Sequence, residues 1–237
     1  MTNASDSDAI AQNVQSVLRN IRRAADRVGR RSDTIRLIAV TKSVSVLRIR
    51  HAIAVGVRLL GENRLQEALP KIASFGPEEG LRWHFIGRLQ RRKVKSVVGA
   101  FAMIHSVDSL ELAAEIDRHA KEAGLCQEIL LQVNIGEEST KAGFNLSAVA
   151  DALPVLDSMP HLSVKGLMAI PPPTSETELA RSYFCRLSEL ARSLSRANLR
   201  RVRMDELSMG MSNDYEVAVE EGATFVRVGT AIFGPRS

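Results

Sequence analysis

The 237-residue chain reads as a single-domain α/β protein, a closed (β/α)8 barrel with an extra helix before its first strand. Three observations predict this fold. Apolar, β-branched runs recur roughly every 20 to 40 residues, and a stretch of helical periodicity follows each one. About eight such pairs can be counted. The length and the 45% hydrophobic content suit one barrel of about 250 residues. An open, doubly wound sheet would also gather strand ends at one edge, but it does not require so regular an eightfold alternation. No low-complexity linker or second composition regime interrupts the chain, so residues 1–237 are expected to form one domain.

From the N-terminus, Ala9 to Val28 carries Ile10, Val14, Val17, Leu18, Ile21 and Ala25 along one side, which predicts an amphipathic helix. The eight strands are expected at Arg36 to Lys42, Arg58 to Asn63, Arg82 to Gly87, Met103 to Asp108, Glu128 to Asn134, Val164 to Ile170, Glu206 to Met209 and Phe225 to Thr230. Between the fourth and fifth strands, Asp108 and Ser109 offer a cap to a helix from Leu110 to Ala123, and Gly124 stops it. Pro171, Pro172 and Pro173 cannot continue a strand ladder, so a loop must follow the sixth strand, with the next helix from about Ser175.

Bulk properties exclude several classes of function. The net charge of +5 and the clusters Arg22-Arg23, Arg30-Arg31, Arg91-Arg92-Lys93 and Arg200-Arg201 raise nucleic acid as a partner. These clusters are scattered over predicted helices, and aromatics make up only 4% of the chain, so solvated helix faces are the reading. No stretch is apolar enough to span a bilayer, and the polar, acidic start from Met1 to Val14 does not resemble a secretory signal. Cys126 and Cys185 share no metal or redox spacing. A cytoplasmic protein without a metal is expected.

The C-terminal strand ends of a parallel barrel share one face, where active sites are built. There the sequence gathers Lys42, Glu62, Asn63, His84, His105, Ser106, Asp108, Asn134, Met168, Ser208 to Ser212, Arg227, Gly229 and Thr230. Lys42 closes the run Leu37-Ile38-Ala39-Val40-Thr41, and a lysine at the edge of a core is either a snorkelling cation or a nucleophile that forms an imine with a carbonyl. The segment Leu207-Ser208-Met209-Gly210-Met211-Ser212-Asn213-Asp214 places hydroxyls, a glycine and backbone amides ahead of a helix, and Gly229-Thr230-Ala231-Ile232-Phe233-Gly234 leaves the last strand. Loops after strands seven and eight are the usual phosphate site of this fold. Strand parity points Arg227 into the barrel mouth, where its acceptor is either the carboxylate of Glu206 or the ring nitrogen of a bound pyridine cofactor.

Longer motifs then carry a resemblance over nearly the whole chain. They are A-V-T-K at Ala39 to Lys42, G-E-N-R-L-Q-E at Gly61 to Glu67, W-H-F-I-G-R-L-Q at Trp83 to Gln90, V-N-I-G-E-E-S-T-K-A-G at Val133 to Gly143, G-L-M-A-I-P-P at Gly166 to Pro172, L-S-M-G-M-S-N-D at Leu207 to Asp214 and V-R-V-G-T-A-I-F-G at Val226 to Gly234. Together they resemble the pyridoxal phosphate homeostasis protein family, also called the YggS or PROSC family. The resemblance implies a TIM barrel related to the N-terminal domain of alanine racemase, with pyridoxal 5'-phosphate held as an internal aldimine on Lys42. It implies that Ser208, Ser212, Gly229 and Thr230 surround the phosphate, with Met209 in the same loop. Arg227 would face the pyridine nitrogen and Asn63 would lie near the ring, with His84 and Met168 also among the cofactor-binding residues. Arg92 departs from the family, which more often has asparagine there, and that touches only the helix start after strand three.

The family implies carriage and regulation of the vitamin B6 pool by a monomer, with apo-forms of PLP enzymes as recipients. Racemases of the related fold add a β domain and a tyrosine acid/base, whereas this chain ends soon after its last strand and has only Tyr183 and Tyr215. Tyr183 falls in a predicted outer helix, and Tyr215 is expected to be a lid or cap residue. An amino-acid racemase is the alternative, and a phosphosugar barrel with Lys42 as an aldolase lysine is a third reading that leaves Arg227 less well explained. Lys141, in the loop after strand five, is expected on the same face as Lys42, as a relay for the aldehyde or an exposed loop lysine. Lys165 is expected at the opposite end.

Overall fold

Eight parallel strands hydrogen-bond in sequence order and the eighth returns to the first, closing a barrel. The strands are β1 (Arg36–Val40), β2 (Leu59–Glu62), β3 (Arg82–Phe85), β4 (Met103–Val107), β5 (Gln127–Val133), β6 (Leu162–Ala169), β7 (Val202–Ser208) and β8 (Phe225–Val228). The helices around them are α1 (Thr2–Arg27), α2 (Val46–Ala54), α3 (Leu65–Phe75), α4 (Val94–Val97), α5 (Leu110–Glu122), α6 (Ala148–Asp157), α7 (Thr177–Leu194), α8 (Tyr215–Glu220) and α9 (Thr230–Phe233). The structure, a computed structural model, describes residues 2–77, 80–138, 141–174, 176–197 and 199–235. Ser139, Thr140 and Ser175, which the sequence placed in the polar loop after β5 and at a helix start, lie outside the described residues.

Two apolar layers follow from strand alternation. Outward residues such as Ala39, Leu60, Ile104, Ile129, Leu167 and Val226 join the helices in one continuous core. Inward residues Ile38, Met103, Leu130, Met168 and Phe225 fill the barrel as a second cluster.

Where the structure departs from the expected boundaries, the cause is local. Several strands stop one or two residues before their expected ends. Thr41 still donates its amide to Gly61 O at 2.9 Å, so Lys42 stands one residue past the last ladder bond of β1. β7 starts at Val202, four residues before the expected Glu206. Its first half alternates buried Val202 and Met204 with exposed Arg203 and Asp205, and a continuous apolar run is absent there. α1 begins at Thr2 rather than Ala9. Its apolar stripe starts at Ile10, and the earlier turns are steadied by polar contact, with Asp6 accepting from Arg48 Nε of α2 at 3.0 Å. α5 meets its expected signals: Ser109 Oγ accepts from the Leu112 amide at 3.3 Å, and Gly124 takes φ +66° after the helix.

Candidate functional site

Lys42 leaves the C-terminal end of β1 between two fixed neighbours. Thr41 is fully buried, and its Oγ1 donates to Glu62 Oε1 at 2.7 Å. Lys71, from α3, donates to the same Glu62 oxygen at 2.7 Å and to Thr41 O at 2.6 Å. Glu62 is wholly buried, so this ion pair clamps the ends of β1 and β2 together directly beneath Lys42. On the other side Ser43 adopts φ +59°, a left-handed conformation that costs an L residue about 1 to 2 kcal/mol, and its amide donates to Glu67 Oε2 at 3.0 Å. The turn that presents Lys42 is therefore strained and held by two residues of α3, Glu67 and Lys71.

The two late loops meet beside it. A cleft is lined by Val40, Lys42, Arg48, Gly229, Thr230 and Phe233. Arg48 donates to Phe233 O at 2.6 Å as well as to Asp6, fixing the back of this cleft. Ser212 Oγ accepts from the amides of Gly229 and Ala231, both at 3.3 Å, so the loop after β7 is tied to the loop after β8. Gly210 takes φ +87°, and a Cβ there would sit 2.5 Å from Ala218 Cβ, so only glycine lets the first loop fold onto α8. α8 has six residues and α9 four, so the anion-binding character rests on loop amides and hydroxyls more than on a helix dipole.

Arg227 lies at the centre of the mouth and is 4% exposed. Its guanidinium donates to Ser208 Oγ at 2.7 Å and to Ala169 O at 2.9 Å. The carboxylate expected as a structural partner is engaged elsewhere: Glu206 accepts from Arg36 and from Thr224 Oγ1, the latter at 2.6 Å. Burial draws the Arg227 pKa down to about 10, with the Asp214 carboxylate opposing that shift, so the cation persists at neutral pH.

Below Arg227 a chain of hydrogen bonds runs into the barrel. His105 Nδ1 is 2.9 Å from Ser208 Oγ, and His105 Nε2 is 2.8 Å from His84 Nδ1. Both imidazoles meet the Phe225 ring edge-on, with centroids 5.4 and 5.5 Å away. Burial is the main cause that lowers both pKa values, to about 3 for His84 and well below 6.5 for His105, so both are neutral.

The residues singled out from sequence thus separate into layers. Lys42, Gly229 and Thr230 line the cleft, Ser212 is tied to its loop, and Asn63 and Arg227 belong to the C-terminal ends of β2 and β8. Asn63 is set there because β3 crosses it closely: a Cβ on Gly87 would lie 2.2 Å from Asn63 O. Met168 is fully buried among the inward apolar residues, forming floor. Ser208 is fully buried and engaged by Arg227 and His105, and His84 is the next group along that chain. Met209 turns its side chain into the outer core because it follows inward Ser208. Tyr215 is not a lid: it is 6% exposed, and its hydroxyl accepts from Asn20 Nδ2 of α1 at 3.0 Å. The Glu62–Lys71 clamp and His105's link to Arg227 are what sequence reasoning missed. The Gly61-Glu62-Asn63 strand end was a signal for the first, since a carboxylate closing a buried strand requires a cation.

The donor set fits an anionic aldehyde of the pyridine type. It offers an amine, two hydroxyls, loop amides and a buried guanidinium, and the buried Asn63 Oδ1 has no hydrogen-bond partner among the described residues. Among the described residues no group of three or more His, Cys, Asp or Glu could hold a metal, and no helix is long and apolar enough to cross a membrane.

Comparison with known proteins agrees with this chemistry. Residues 7–237 match the family described as alanine racemase, N-terminal domain. The pyridoxal phosphate homeostasis protein of Aquifex aeolicus is 41% identical over 225 residues, covering 95% of this chain and 97% of that one. Its namesake from Pseudomonas aeruginosa is 43% identical over 231 residues, covering 96% of each. Among solved structures, PipY of Synechococcus elongatus with PLP bound superposes with a TM-score of 0.80 at 37% identity, covering 91% of this chain and 100% of that chain.

Proposed function

The chain belongs to the alanine racemase N-terminal domain family and, within it, to the pyridoxal phosphate homeostasis proteins, and on that premise we propose that it holds pyridoxal 5'-phosphate covalently on Lys42 for buffering or delivery. The observation that carries this reading is the convergence of Lys42, the tied loops at Ser212, Gly229 and Thr230, and the Arg227 cation on one barrel mouth. Pyridoxal phosphate supplies an aldehyde that an amine captures reversibly, a phosphate that fixes its position and a ring nitrogen that governs its electron demand.

In this reading the clamp of Glu62, Lys71 and Thr41 orients the Lys42 amine. Ser212, Thr230 and the amides around Gly229 receive the phosphate. Asn63 stands beside the ring, and Met168 is its floor. Arg227 has only protons to donate, so it leaves a pyridine nitrogen unprotonated and makes the ring a weak electron sink. Carriage is favoured over racemisation by a second observation. Of the two tyrosines in the chain, Tyr215 is tied beneath α1, and Tyr183 packs on the helix layer, so neither is available as the second acid/base. A monomer that delivers to apo-forms of PLP enzymes in the cytoplasm completes the proposal.

Borohydride reduction of the reconstituted protein, followed by peptide mapping, tests it. The expected result is a single label on Lys42; a label elsewhere refutes the assignment. Incubation of the loaded protein with L-alanine tests the racemase alternative, for which sustained loss of chirality is the signature.

A further inference from the structure

The buried chain of hydrogen bonds behind Arg227 has a direction, and that direction is set by chemistry at one end. A guanidinium only donates, so Ser208 Oγ accepts from Arg227 at 2.7 Å. Ser208 is fully buried, and its own proton then has one acceptor within reach, His105 Nδ1 at 2.9 Å. His105 must in turn carry its proton on Nε2 and donate to His84 Nδ1 at 2.8 Å. His84 then carries its proton on Nε2, which has no partner among the described residues. The opposite direction would leave two buried groups unsatisfied, the Ser208 hydroxyl proton and the His84 Nε2 lone pair, where this one leaves a single group.

We infer that His84 and His105 are positioning residues of the pyridoxal phosphate site, a pair of neutral Nε2–H imidazoles that act on Arg227 through the Ser208 hydroxyl. The inference rests on the reading that Arg227 faces the cofactor ring. Ser208 is committed to this chain and is not a phosphate ligand. Among the described residues no carboxylate is hydrogen-bonded to Arg227, so its orientation depends on two neutral acceptors, Ser208 Oγ and Ala169 O. One of these is a hydroxyl that would rotate freely if His105 did not receive its proton. The relay therefore keeps a Ser208 lone pair turned toward Arg227, leaving the remaining guanidinium protons for a ligand.

Two measurements test it. In the cofactor-free protein at pH 7, imidazole 15N shifts are expected to show both histidines neutral with the proton on Nε2, and Ser208→Ala is expected to mix the His105 tautomers. Protons found on Nδ1 in the wild type overturn the relay. In the loaded protein, Ser208→Ala and His105→Leu are expected to shift the cofactor's absorption band in the same direction as Arg227→Gln and to speed cofactor release about tenfold, the effect of one weakened hydrogen bond. Ser208→Ala removes one atom and carries the test if His105→Leu does not fold. An Arg227→Gln shift that neither Ser208→Ala nor His105→Leu reproduces overturns the positioning role alone. An Arg227→Gln variant with an unchanged band overturns the placement of Arg227 at the ring, and the positioning role falls with it.

Discussion

The two mouths of the barrel treat their cations differently. At the N-terminal mouth Arg36 pairs with Glu206, and both Arg82 and Lys165 reach Glu128, at 3.2 and 3.4 Å. At the C-terminal mouth Arg227 is more deeply buried than any of these, yet among the described residues it hydrogen-bonds only to neutral oxygens. In the first arrangement every cation has a carboxylate within reach, two of them sharing Glu128. The second keeps a positive field beside Lys42 and the tied loops, which is the field an anionic cofactor requires. Burying a cation on neutral hydrogen-bond acceptors has a stability cost, and a site for a phosphate-bearing ligand explains why the fold tolerates it.

Perturbing each mouth sharpens the contrast. Lys42→Ala is expected to abolish reducible cofactor attachment and weaken retention on the order of 100-fold, with the thermal midpoint nearly unchanged. Equilibrium dialysis and a melting curve read the two effects. Lys71→Met leaves the buried Glu62 without its cation, so a loss of about 3 to 5 kcal/mol in urea unfolding is expected, with most of it recovered when Glu62→Gln is added. Recovery that fails would show that the clamp does more than balance charge.

Acid provides a third perturbation. His84 and His105 are neutral when folded but protonate near pH 6.5 when unfolded, so the unfolded chain binds more protons. Stability is fully present above pH 6.5 and falls as pH drops toward about 3, by up to about 1.4 kcal/mol per pH unit for each histidine. Urea midpoints at pH 7 and pH 5 are expected to converge when both histidines are replaced. At the opposite mouth, Glu206→Gln is expected to cost about 1 kcal/mol and leave cofactor retention untouched. The smallest effect is expected from Lys141→Ala. Lys141 lies 2.6 Å from Glu138 in a local loop pair, and as a relay for the aldehyde it would alter only the release rate.

Much of this was legible in the sequence. Apolar, β-branched runs, each followed by a stretch of helical periodicity, located eight strands, and closure followed from their number. Lys42, Ser212, Arg227, Gly229 and Thr230 were readable because strand parity and loop position fix where such residues point. His84, Ser208 and Met209 are buried behind the C-terminal face. A motif marks residues near a site without saying which of two alternating faces each side chain takes. The His84–His105–Ser208 relay was illegible because its members come from three strands, and pairing across a barrel depends on stagger that spacing does not encode. The first half of β7 was missed because alternating charges hid a strand that is buried on one face only.

The central claim is that the C-terminal mouth, with the buried Arg227 cation and the Lys42 amine, holds pyridoxal phosphate in one orientation. A crystal structure of the protein soaked with pyridoxal phosphate tests this most directly. The expected density joins Lys42 Nζ to the cofactor, sets its phosphate against Ser212, Gly229 and Thr230, and places its ring nitrogen within hydrogen-bond distance of Arg227. Density with the phosphate on Arg227, or with the cofactor at the N-terminal mouth, would contradict the account.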